Sequence, residues 1–77
     1  MFSRGQALVS RSKDEVFDAL LDACKDVKAK IKDANKTHHI IIGKSANTLS
    51  RLSFDFRILL NSSDQDTLIE YTITLLD

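Results

Sequence analysis

The chain contains no proline, no tryptophan, only two glycines and a single cysteine, and its eleven basic residues are cancelled by eleven acidic ones. Each shortage excludes something. Cys24 alone cannot form an intrachain disulfide or a thiolate-based zinc site, and a lone free thiol fits a reducing compartment, so a cytoplasmic location is expected. Zero net charge removes the basic excess on which non-specific nucleic-acid binders depend. It also weakens electrostatic self-repulsion and so does not oppose self-association. No apolar run exceeds three residues, as at Ile40–Ile42, far below the roughly 20 needed to span a bilayer. Residues 1–6 show no signal-type apolar run. With so little glycine there is no phosphate-cradling loop, and neither G-x-S-x-G nor H-E-x-x-H occurs. Nothing argues for an enzyme, a cofactor or a bound metal.

What remains is a chain of 77 residues, read as one α+β domain over 1–77, with a hydrophobic pattern that changes period near residue 25. Val16, Phe17, Leu20, Leu21 and Cys24 recur at helical spacing. Ser12 and Glu15 form an S-x-x-E capping box at the start of that helix, and Asp14 and Glu15 suit the positive end of its dipole. Beyond the helix the apolar residues alternate. Leu52, Phe54, Phe56, Ile58 and Leu60 predict one long strand over 50–60, and Ile69, Tyr71, Ile73 and Leu75 another over 67–76, with residues 61–66 as the turn. Val27, Ala29 and Ile31 alternate with lysines, which places a strand at 27–33, although Lys and Ala also suit a helix extension. Asp33–Lys36 then reads as a turn, Thr37–Lys44 as a strand and Ala46–Thr48 as a loop, while residues 2–10 supply a first strand. The order β-α-β-β-β-β implies an antiparallel meander with the first strand beside the last and one helix packed on a curved sheet of about five strands.

Several clusters invite a functional reading, and most have a plainer one. His38 and His39 are adjacent, so on a strand they point to opposite faces and cannot chelate one ion. Cys24 lies on the apolar stripe and reads as a small core residue. Asp14, Asp18, Asp22 and Asp26 follow one helical ridge, which spreads oxygens along a line instead of converging them on a cation. Lys25, Lys28, Lys30, Lys32 and Lys36 form a basic run without arginine or aromatic partners, as expected of a solvated face or a lysine-guarded edge strand. The sequons at Asn35 and Asn61 lack a secretion signal and read as chance.

Two surfaces are left. One is the space between helix and sheet, where Phe17, Leu21, Phe54, Phe56 and Tyr71 are the candidate ligand-lining residues, Tyr71 providing a polar handle. The other is the sheet face away from the helix, where Arg57, Leu59, Leu68 and Leu76 are candidate interface residues.

The segment Val9–Leu20, V-S-R-S-K-D-E-V-F-D-A-L, resembles the first strand and helix start of the START-like, helix-grip superfamily, whose helix carries E-V-[WF]-x-A-L. That resemblance implies an apolar ligand site between helix and sheet. Members close the site with a long C-terminal helix, and the last apolar run here ends one residue before Asp77, which leaves room for more chain beyond it. As a whole the chain is similar to small bacterial and archaeal β-α-β-β-β-β domains of unassigned function, through the pattern x-I-x-x-x-[DN]-x-x-x-x-x-I-x-[GA]-x-[ST] at Lys30–Ser45. This likeness implies a fold and no activity. The expectation is a non-enzymatic module that binds or assembles through the uncovered sheet face or an edge, as a homodimer or with a protein partner. The alternative is a miniature binder of a small apolar ligand between helix and sheet.

Overall fold

The computed structural model describes residues 2–47 and 52–76, and the side chains within them apart from those of Phe2, Ala46, Asn47, Leu52 and Leu76. One strand, β1 (Phe2–Val9), leads into the helix α1 (Lys13–Asp26), and four strands follow: β2 (Lys30–Asn35), β3 (Ile40–Asn47), β4 (Leu52–Ser63) and β5 (Asp66–Leu76). They form one antiparallel sheet in the order β1-β5-β4-β3-β2, so the first strand does lie beside the last.

The helix starts as its sequence dictates. Ser12 is extended, its hydroxyl oxygen accepts the Glu15 N–H at 3.3 Å, and the Glu15 carboxylate accepts from the same hydroxyl. Its end corrects the strand expected at 27–33. Lys28 takes a left-handed φ of 58°, the Lys28 N–H donates to the Lys25 carbonyl at 3.0 Å, and the Ala29 N–H reaches back to the Cys24 carbonyl at 2.9 Å. Those two bonds are a Schellman closure, which satisfies carbonyls the helix would otherwise leave bare. Residues 27–29 therefore belong to the helix stop.

The turn between β2 and β3 lies later than Asp33–Lys36 for a similar reason. Asn35 initiates it, its side-chain oxygen accepting the His38 N–H at 3.1 Å, and His39 completes it at φ 55°. The strand expected at 37–44 therefore starts at Ile40 and runs on to Asn47, through the start of the loop expected at 46–48; Thr48 lies outside the described residues. The β4–β5 turn shrinks from six residues to Asp64 and Gln65, closed by the Ser63–Asp66 pair, with Asp64 at φ 55°.

Register sorts the two sheet faces. Phe54, Phe56, Ile58 and Leu60 of β4 pair with Leu75, Ile73, Tyr71 and Ile69 of β5, and Ile41, Gly43 and Ser45 of β3 pair with Ile58, Phe56 and Phe54. These face the helix. Ile40 and Ile42 take the other face, which settles the third strand's orientation with Ile41 fully buried. Val16, Phe17, Ile41 and Leu60 form the core cluster, with Val9, Leu20, Leu21, Ile31, Phe56, Ile58 and Ile69 packed around it. At one end of this core, the Thr67 hydroxyl donates to the Arg11 carbonyl at 2.7 Å and ties the β1–α1 connection to β5.

Candidate functional site

The helix is too short for the sheet. Fourteen residues give about 21 Å of helix, whereas the twelve residues of β4 extend about 40 Å. The N-terminal half of α1 sits on Leu60 and Ile41 and closes the core. The C-terminal half rises over an open apolar groove of about 460 Å³. Leu20, Cys24 and Val27 form its helix wall, Phe54, Phe56 and Ile58 of β4 and Ile69, Tyr71 and Ile73 of β5 form its floor, and Ala29 and Ser45 close one side. Ser45 and Tyr71 are the lining residues with a side-chain hydroxyl, and the exposed surface of the lining is almost wholly apolar.

The two glycines of the chain shape that floor. Gly43 on β3 lies opposite Phe56, whose ring covers it, and Gly5 on β1 lies opposite Tyr71, whose phenol lies across it. Each aromatic thus leans off its own strand onto a neighbour without a side chain, Phe56 toward β3 and Tyr71 toward β1. The rings splay apart, and aliphatic Ile58 and Ile73 hold the middle. Tyr71 remains 38% exposed.

Of the residues singled out in the sequence, Phe54, Phe56 and Tyr71 line the groove. Phe17 is 2% exposed inside the core and Leu21 packs against that core, so neither reaches the lining. Leu20 and Cys24 stand there instead. The sequence stripe contained all four residues, but it could not say which turns of the helix overhang the core and which the groove. On the outer face Arg57 is exposed and Leu59 and Leu68 are half-buried, paired with Thr72, Glu70 and Asn61. The side chain of Leu76 lies outside the described residues. Polar Asp55, Glu70 and Thr72 share this face with the apolar pairs Ile40–Leu59 and Leu8–Leu68.

The helix is pinned at its start. His39 Nε2 lies 3.0 Å from an Asp14 carboxylate oxygen, its ring meets Phe17 edge-on at 6.1 Å, and its side chain is 16% exposed. That hydrogen bond, aided by the charge of Lys36, holds the Asp14 carboxyl below the usual carboxylate range. Lys36 also bonds Asp18 at 3.3 Å. The acidic helix ridge is therefore partly used to grip the β2–β3 turn, a role its spacing did not reveal. Lys32, displaced by the β2 bulge, pairs with Asp55 on the outer face at 3.1 Å. Cys24 is buried, and its thiol pKa is pushed up by desolvation, the reverse of what a reactive thiolate needs. Among the described residues no group of three or more His, Cys, Asp or Glu is placed to hold a metal ion, and no helix is long and apolar enough to cross a membrane.

No family model and no curated protein matches this chain. Sixteen chains of solved structures do match it. One is the crystal structure of Ara h 8.0201, with a TM-score of 0.81 and 10% identity over 97% of this chain and 75% of that chain. At that identity the likeness is one of fold. What the two chains share is one helix packed on an antiparallel sheet.

Proposed function

We propose that this protein is a non-enzymatic binding module that takes a small, largely apolar ligand in the groove between the C-terminal half of α1 and the β4–β5 floor. The observation that carries this reading is the groove itself: about 460 Å³, within the usual range for small-molecule sites, and walled by apolar side chains with Tyr71 at its floor. An apolar surface of that size left open to water gains free energy when a ligand covers it. Tyr71 would hydrogen-bond a polar group at one end of the ligand, while the aliphatic floor selects the rest by shape alone. The free thiol of Cys24 suits a reducing, cytoplasmic setting.

The test is titration with the fluorescent apolar probe 1-anilinonaphthalene-8-sulfonate, set against native mass spectrometry of protein never denatured. Wild type should bind the probe in the groove and carry a few hundred daltons of non-covalent mass from the cell. Ser45→Glu puts a carboxylate on the apolar wall without touching the core cluster, and should weaken the probe roughly tenfold or more. Equal probe binding by wild type and variant would sink the proposal. The assembly reading, through the outer face around Arg57, Leu59, Leu68 and Leu76, gains less support, because Asp55, Arg57, Glu70 and Thr72 stand among the apolar residues of that face. It gains more from a sheet edge.

A further inference from the structure

The two edges of the sheet differ. The β2 edge is six residues long, carries Lys30, Lys32 and Asp33, and is broken by a bulge between Ile31 and Asp33. Short length, lysine and a bulge are the ordinary protections against edge-to-edge pairing. The β1 edge has none of them. It runs eight residues, F-S-R-G-Q-A-L-V, with one charge, no proline, no lysine and an unbroken register against β5. Along its outer side, alternate backbone N–H and C=O groups point away from the sheet with no strand beyond them among the described residues. Ser3, Arg4, Gln6, Ala7 and Leu8 are all exposed, Leu8 by 60%.

We propose that β1 is an interface for β1 of a second copy of this chain, paired antiparallel about a two-fold axis through Gly5, so that two five-stranded sheets join into one of ten. This goes beyond the groove reading and does not depend on it.

The geometry of β1 suits a second copy of itself in this register. A two-fold normal to the sheet keeps both helices on one side, so only residues of the same parity can lie opposite each other. With Gly5 opposite Gly5, Arg4 faces Gln6 and Ser3 faces Ala7, and no like charges meet. Gln6 is paired with Glu70 on β5, and Arg4 with Thr72. Each rung across the junction therefore reads Thr72, Arg4, Gln6, Glu70, with one strand, about 10 Å in all, between Arg4 and the glutamate of the other copy. On the helix side, the missing side chain at Gly5 leaves room for the Tyr71 phenol that crosses it, and the axis brings two such phenols together. Because β2 is guarded, pairing stops at two copies instead of growing into a fibre.

Gln6 gives a test that separates pairing from folding. Gln6→Lys sets lysine opposite Arg4 on two symmetry-related rungs, yet places it beside Glu70 within its own chain. Gln6→Glu does the reverse. Sedimentation equilibrium should show a wild-type dimer, a Gln6→Lys dimer weakened about fivefold or more in Kd, and a Gln6→Glu dimer at least as tight as wild type. Outward amides of β1 should exchange more slowly as concentration rises. Thermal melts at low concentration should rank the variants the other way, Gln6→Lys above Gln6→Glu. A wild-type monomer at all concentrations, or a dimer indifferent to Gln6→Lys, would overturn the proposal. A dimer weakened by both substitutions would put Gln6 on the axis and overturn this register.

Discussion

At the scale of single residues, the two glycines show how a missing side chain can be structural. Neither has a positive φ, so conformational freedom is not the reason for them. Each is a seat for an aromatic ring from the next strand. They are not equally replaceable. A Cβ at Gly43 would lie 2.5 Å from Phe56 Cζ and 2.8 Å from the Lys30 carbonyl oxygen, so a half-buried ring and a backbone atom would both have to yield. At Gly5 the obstacle is closer, but its three nearest atoms are all at the outer end of one 38% exposed side chain, Tyr71, with no backbone atom among them. Gly43→Ala should therefore destabilise by about 1–3 kcal/mol, as overpacking does, and Gly5→Ala by less than about 1 kcal/mol. Urea unfolding midpoints of the two variants check this ranking. Equal losses would mean that the Phe56 ring is not fixed by the gap at Gly43.

At the scale of elements, the sequence was most legible where a pattern was long and least legible where one local bond decided the outcome. The alternation over β4 and β5 runs for five and four apolar positions, so those strands lie close to where the periodicity put them. The capping box at Ser12 and Glu15 marked the helix start for the same reason: it is chemistry written in adjacent residues. The helix end was hidden because its left-handed stop falls on Lys28, where glycine would have announced it. Val27, Ala29 and Ile31 alternate by coincidence with that closure. Asn35 is a turn former, and composition alone places it inside the turn, whereas its side chain caps the turn from the last residue of β2. The cost at Lys28 is measurable. A residue with a Cβ at φ 58° is strained, and glycine is not, so Lys28→Gly should raise stability by about 0.5–1 kcal/mol despite the extra freedom it gives the unfolded chain. Chemical denaturation of the exposed-site variant tests this directly. A loss of stability would mean that the lysine side chain contributes more than the strained backbone costs.

At the scale of the whole molecule, the same shortage that makes a groove makes a weakly self-sufficient fold. Among the described residues only Val16, Phe17, Cys24, Ile41 and Leu60 are buried hydrophobics, and a 77-residue chain has little surplus apolar area to spend on an uncovered cleft. The candidate site was half legible for this reason. Phe54, Phe56 and Tyr71 could be assigned to one face from period alone, but the division of the helix between core and groove depends on where it crosses the sheet, which no local pattern records. Stability and occupancy are then coupled. A ligand that binds only the folded chain, present at a hundred times its Kd, adds about 2.7 kcal/mol, and in a domain of this size that corresponds to a rise of roughly 10–20 °C in Tm. Ser45→Leu extends an aliphatic side chain into the same space from β3, opposite Phe54. It should raise the Tm of the empty protein by a few degrees through added apolar burial while shrinking the ligand-induced rise, since the two compete for one volume. Differential scanning fluorimetry with and without the ligand recovered by native mass spectrometry reads both shifts. A variant that gains stability yet keeps the full ligand-induced rise would place the ligand outside the groove, most directly in the cleft of about 470 Å³ beside Gly5, Glu70 and Thr72.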